Sequence, residues 1–78
     1  MVWMLKKLSE IKAGKFVKIN SFIKNDAYLK LMEMGCLPGE VICIEKIAPF
    51  GDPISIKVAG YHLSLRLNEA ESILVDEM

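Results

Sequence analysis

Apolar and polar residues alternate along four segments of the chain, which is the pattern of half-buried β-strands. The clearest alternation lies on either side of Ala59-Gly60. Because glycine adopts positive φ readily, these two residues predict a tight hairpin turn. A short apolar run near the C-terminus predicts one more strand, after which the last three residues are expected to fray. The predicted strands are residues 15–23, 40–47, 54–58, 61–67 and 73–75.

Between the first two predicted strands, the period of the apolar residues changes to that of a helix. Asn25 or Asp26 is a suitable N-cap, and Gly35 is able to take the left-handed conformation that ends a helix. The pattern therefore predicts one short helix over residues 26–34. A helix of two to three turns is marginal alone in water, so it must pack against the strands.

Five predicted strands, tight turns and a single helical turn from Asn68 before the last strand indicate the fold class. A small sheet can remove its exposed edges by closing into a barrel. We therefore predict a mainly β fold, a small SH3-like β-barrel of about five strands, with one short helix inserted after the first strand.

Length and composition narrow the classes of function. A chain of 78 residues predicts a single domain over residues 1–78, and its 53% apolar residues are enough for a packed core. Ten basic residues balance ten acidic residues, whereas domains that bind nucleic acid usually carry a clear basic excess. We therefore expect no nucleic-acid partner, although a nucleic-acid-binding small barrel is a third hypothesis that a binding assay would test.

The sequence also indicates a location. The longest apolar run is Met1–Leu5, far shorter than the roughly 20 residues of a membrane-spanning helix. Lys6 and Lys7 follow this run, whereas a signal peptide carries its basic residues first. We expect a cytoplasmic protein without direct membrane insertion.

Residues with catalytic or metal-binding chemistry do not form a recognisable motif. His62, Cys36, Cys43, Asp52 and Glu45 could bind a metal, but no three of them are spaced as a conventional site. Nothing local supports a nucleophilic triad, and the chain lacks a phosphate-binding G-x-x-x-x-G-K-[ST] loop. We therefore predict no enzyme activity, no cofactor and no metal site.

Four residues are predicted to bind a partner. Tyr28 and Met32 lie partly around the predicted helix from its core face, so either would make an adaptable apolar contact where it is exposed. Phe50 lies at a turn between Pro49 and Gly51. Arg66 is expected to point outward from a strand and to pair with a carboxylate on a partner or across the barrel. For each residue, packing in the core or simple solvation is the structural alternative.

Several segments resemble, in order, the signature segments of the FeoA family. Residues 31–41 (LMEMGCLPGEV) are similar to its leucine, methionine-glycine, proline-glycine signature. Residues 49–54 (PFGDPI) resemble its glycine-aspartate-proline turn, and residues 60–66 (GYHLSLR) resemble a strand that ends in leucine-arginine. The opening and the close of the family pattern are matched by Leu8 with Gly14 and by Glu69-Ala70 with Ile73.

This resemblance implies an SH3-like barrel with an added helix and a role in bacterial ferrous iron uptake. It implies contact with the cytoplasmic part of FeoB, a membrane transporter with a GTP-binding domain. The alternative is a metal-sensing SH3-like module, related to the C-terminal domain of iron-dependent repressors. We expect a monomer or a weak homo-oligomer, with Val41 and Cys43 or the segment Val2-Trp3-Met4 as possible sites of self-association.

Overall fold

The structure is a computed structural model that describes residues 5–23 and 26–78. Its secondary structure is mainly β, with short helical segments between the strands. In chain order the elements are β1 (Lys6–Lys7), a 3₁₀ turn (Leu8–Glu10), β2 (Phe16–Phe22), α1 (Tyr28–Glu33), β3 (Val41–Ile47), β4 (Ile54–Val58), β5 (Tyr61–Leu65), α2 (Leu67–Ala70) and β6 (Ile73–Glu77).

The strands form one antiparallel sheet of six strands in the order β1-β6-β2-β3-β4-β5. The sheet is open, because no ladder joins β1 to β5 in the described part of the chain. The predicted mainly β class with a short helix is confirmed, but the prediction of a closed barrel is wrong, and the sheet has six strands where about five were predicted. The edge strand β1 has only two residues, too few to complete a barrel by pairing along the five residues of β5.

The core lies on one face of this sheet, where the inward residues of each strand are buried. Each predicted alternation becomes a set of side chains on this face, as in β4, where the inward residues are all at most 2% exposed. The 3₁₀ turn, α1 and α2 add further apolar side chains. The buried apolar residues are Leu8, Ile11, Val17, Ile19, Leu31, Cys36, Ile42, Ile44, Ile54, Ile56, Val58, Leu65, Ala70, Ile73 and Val75.

The first and last strands that the structure describes differ from the prediction because they pair with each other. β1 was not predicted, since two adjacent lysines show no alternation, yet it pairs with β6. The C-terminal residues do not fray up to Glu77, which lies opposite Val17 in β2. The Glu77 carboxylate also lies 2.9 Å from Lys6 Nζ. This ion pair raises the pKa of Lys6 and lowers the pKa of Glu77.

The predicted helix is present but shorter than residues 26–34. Ala27, not Asp26, occupies the N-cap position, and Asn25 lies outside the described residues. The helix ends before Gly35, whose φ of +98° is the expected left-handed conformation. Leu31 anchors α1 in the core. No helix in residues 5–23 and 26–78 is long and apolar enough to cross a lipid bilayer.

Candidate functional site

The turn between β3 and β4 is attached to the start of α2. The Asp52 Oδ1 atom accepts a hydrogen bond from the backbone N–H of Leu67 at 3.2 Å and lies 3.5 Å from Arg66 Nε. Arg66 therefore pairs with a carboxylate of its own chain, and it precedes α2 instead of lying in a strand. Its side chain is 71% exposed, so most of the guanidinium remains accessible.

The same turn is closed by its own backbone. Ala48 N–H donates to the carbonyl of Pro53 at 3.2 Å, and Gly51 N–H donates to the carbonyl of Ala48 at 2.7 Å. Phe50 lies at the tip and is 96% exposed, the most exposed large apolar residue in the described chain. The structure therefore displays Phe50 to solvent instead of folding it over the core.

Glu69 connects α2 to α1. Its Oε1 atom accepts a hydrogen bond from the backbone N–H of Arg66 at 2.8 Å, and its Oε2 atom lies 3.3 Å from Lys30 Nζ. The Glu69 side chain is only 10% exposed, so this carboxylate is largely removed from water and depends on these partners. Burial, with a smaller contribution from the Glu69 carboxylate, raises the pKa of the nearby Cys36 thiol to about 11.

These contacts link, one to the next, the three segments that carry the predicted partner-binding residues. Asp52 joins the turn of Phe50 to Arg66, and Glu69 joins α2 to α1. On α1, Tyr28 and Met32 are half-buried and are not part of the core cluster. We use the name turn–helix surface for the exposed and half-buried residues of these linked segments, Tyr28, Leu29, Met32, Phe50 and Arg66.

Leu29 is the one member of this surface that was not predicted from the sequence. It is 61% exposed, whereas its helix neighbour Leu31 is fully buried. Residues two positions apart lie on nearly opposite sides of a helix, because each residue advances the helix by about 100°. The signal was therefore available in the sequence, since placing Leu31 on the core face places Leu29 on the solvent face.

The side chains that could bind a metal are not gathered into a centre. Within the described residues, no group of three or more His, Cys, Asp or Glu side chains is arranged to hold a metal ion. His62 Nδ1 lies 2.8 Å from Glu45 Oε1, so these two pair with each other across the outer face of the sheet. Cys36 is buried, Cys43 is half-buried, and both are free thiols.

The fold and the site define a class: a small, mainly β domain whose described residues include exposed apolar side chains and exposed basic ones. The family model of the FeoA domain matches residues 6–77. The chain belongs to the FeoA family, which is linked to ferrous iron transport. No curated protein matches the chain in sequence.

Solved structures agree with this assignment. A FeoA-like protein from Clostridium acetobutylicum is 37% identical with a TM-score of 0.91, over 99% of this chain and 91% of that one. Stenotrophomonas maltophilia FeoA, described as a prokaryotic SH3 domain protein and complexed with zinc, is 26% identical with a TM-score of 0.77, over 95% of this chain and 91% of that one. T. acidophilum IdeR is 19% identical with a TM-score of 0.86, over 100% of this chain and 36% of that one, and shows the fold alone.

Proposed function

We propose that this protein is a cytoplasmic accessory protein of ferrous iron uptake that acts by contact with the cytoplasmic part of a FeoB-type transporter. Membership of the FeoA family supports the link to iron transport. The observation that carries the mode of action is Phe50, a large apolar side chain held 96% exposed at the tip of a closed turn. A side chain of this kind is typical of the anchor residues in protein interfaces.

The basic side chains on the segments linked to the Phe50 turn indicate what a partner would offer. Arg66 is only partly neutralised by Asp52, at 3.5 Å, and Lys30 on α1 has a side chain that is 66% exposed. Leu29 adds apolar area beside Lys30. A partner that fits the turn–helix surface would have a pocket for an aromatic side chain and carboxylates near its rim.

The test is a binding assay between this protein and full-length FeoB in detergent, with and without guanine nucleotide. Phe50→Ala is expected to weaken binding about thirtyfold or more, since truncating an anchor typically costs about 2 kcal/mol or more. Phe16→Ala is the matched control, because Phe16 is also exposed, at 56%, but lies on β2 on the outer face of the sheet.

The outcomes separate the parts of this proposal. Binding that changes with nucleotide would indicate a regulator of the GTP switch, and binding indifferent to nucleotide would indicate a scaffold. Equal losses from Phe50→Ala and Phe16→Ala would refute the turn–helix surface as the docking site. Absence of binding to FeoB in every nucleotide state would refute the contact mechanism itself.

A metal-sensing module is the second candidate, favoured by the zinc complex of the S. maltophilia relative. The residues of this chain do not fit a specific metal centre, because the closest pair of donors, His62 and Glu45, supplies two ligands of the usual three or four. We expect anoxic calorimetric titration with Fe²⁺ to show only millimolar binding or none. Micromolar Fe²⁺ binding that is lost in His62→Ala would favour metal sensing over contact with the transporter as the function.

A further inference from the structure

The two edges of the open sheet differ in how they are protected. Edge strands expose unpaired backbone groups, and proteins usually guard them with short length, charge or proline. β1 is guarded, because it consists of only Lys6 and Lys7. β5 (Tyr61–Leu65) has five residues without a lysine, an arginine, a carboxylate or a proline. Within residues 5–23 and 26–78, β5 is therefore the edge available for pairing.

The hairpin that joins β4 to β5 determines which backbone groups are free. Its two turn residues, Ala59 and Gly60, have φ of +53° and +81°, as in a type I′ turn. The residues that flank such a turn form a hydrogen-bonded pair, and such pairs then alternate along the ladder. Tyr61, Leu63 and Leu65 therefore bond to β4, while the N–H and C=O groups of the two residues between them point away from it.

Those two residues, His62 and Ser64, are symmetric about Leu63. Reading β5 in either direction from Leu63 gives a polar residue and then an apolar one. In an antiparallel pairing centred on Leu63, each polar residue of β5 therefore lies opposite a polar residue of the second copy, and each apolar residue lies opposite an apolar one. No charged side chain of β5 opposes the pairing, and β1 cannot substitute for it, because two β1 strands would bring lysines together.

We propose that β5 is a homodimerisation edge, on which the β5 strand of a second copy adds antiparallel about a two-fold axis at Leu63. His62 and Ser64 of the second copy then exchange N–H···O=C bonds with Ser64 and His62 of the first. Leu63 lies opposite its own copy, and Tyr61, which is 66% exposed, lies opposite Leu65 of the second copy, whose side chain stays in its own core. The His62–Glu45 contact is compatible with this pairing, because it uses side chains on the outer face.

The interface is small, so the dimer is weak and populated at high protein concentration. Sedimentation velocity of the whole chain over a wide concentration range is expected to show a monomer–dimer equilibrium. Ser64→Pro removes the outward N–H without touching the ladder to β4, since that N–H is not bonded to β4. Losing two symmetry-related hydrogen bonds is expected to raise the dimer dissociation constant about tenfold.

Three results of the sedimentation experiment would overturn the proposal. The first is a wild-type chain that stays monomeric up to millimolar concentration. The second is a folded Ser64→Pro variant that dimerises as well as the wild type. Larger oligomers instead of a dimer would also contradict it, because a closed two-fold pairing leaves no free β5 edge.

Disulfide trapping tests the register independently of stability. In a Cys43→Ser background, Leu63→Cys places two thiols across the two-fold axis as a non-hydrogen-bonded pair, with Cα atoms about 4.5 Å apart. That separation permits a disulfide, so mild oxidation is expected to give a covalent dimer. Tyr61→Cys is the matched control, because its Cα lies two residues from the axis and should not reach its own copy. Equal crosslinking of both variants, or none from Leu63→Cys, would refute this register.

Discussion

Glu69 shows how a single residue can start a helix where the sequence pattern predicts a strand. Acidic residues are rarely buried without partners, and the side chain of Glu69 is only 10% exposed. It is stabilised by the backbone N–H of Arg66 at 2.8 Å and by Lys30 at 3.3 Å. Because its carboxylate caps the first turn of α2, Leu67 enters a helix although the alternation of its neighbours predicts a strand.

The two cysteines should differ sharply in reactivity. The raised pKa of Cys36, about 11, means that its thiolate appears only as the pH approaches that value. At pH 8, about one Cys36 in a thousand is ionised, and the side chain is fully buried. Mass spectrometry after brief alkylation at pH 8 is expected to show one label on the native protein, at Cys43.

Cys43→Ser is the control for this assignment. The native variant is expected to remain unlabelled under the same conditions, and the variant in denaturant is expected to take one label. Rapid labelling of Cys36 in the native variant at pH 8 would show that the core around α1 opens far more readily than its packing implies.

The elements differ in how far the sequence predicts them. The β4–β5 hairpin was predictable, because alternation and Ala59-Gly60 are both local signals. β1 was not, because it exists only through pairing with β6 at the other end of the chain. In the same way, the proline and glycine on either side of Phe50 placed it in a turn from the sequence alone. The Asp52–Arg66 contact was not predictable, because it joins residues distant in sequence.

Helix α1 offers a matched pair of substitutions. Six residues do not form a stable helix in water, so α1 depends on its packing. Leu31→Ala is expected to lower the free energy of unfolding by about 2–5 kcal/mol, because Leu31 is fully buried. Leu29→Ala, in the same helix but 61% exposed, is expected to change it by about 0.5 kcal/mol or less.

Chemical denaturation of the two variants beside the wild type measures this difference. Similar losses in both would mean that Leu29 contributes to the core and does not belong to the turn–helix surface. A normal stability for Leu31→Ala would contradict the placement of α1 against the sheet.

At the scale of the whole molecule, the strand order makes the domain depend on its last segment. β6 lies between β1 and β2 in the sheet, and it contributes Ile73 and Val75, both fully buried. Contacts between residues so far apart in sequence can form only when most of the chain is in place. The domain is therefore expected to fold as one unit.

Truncation after Ser72 tests this dependence. Removing residues 73–78 deletes a whole strand from a small domain, and the burial of Ile73 and Val75 alone is worth about 3–6 kcal/mol. We expect the shortened chain to be unfolded by circular dichroism. Removal of Met78 alone is the control and should leave the melting temperature close to that of the wild type, because Met78 is 75% exposed. Cooperative melting of the longer truncation would refute this account.

The closed turn around Phe50 also affects how fast a partner binds and how much conformational entropy is lost on binding. Disordered segments lose conformational entropy when they bind, and this loss reduces their affinity. The backbone bonds of Ala48 and Gly51 and the contacts of Asp52 have already restricted the turn in the free protein. A partner that accepts Phe50 therefore orders little more than one side chain, so association should proceed by rigid docking with a small entropic penalty.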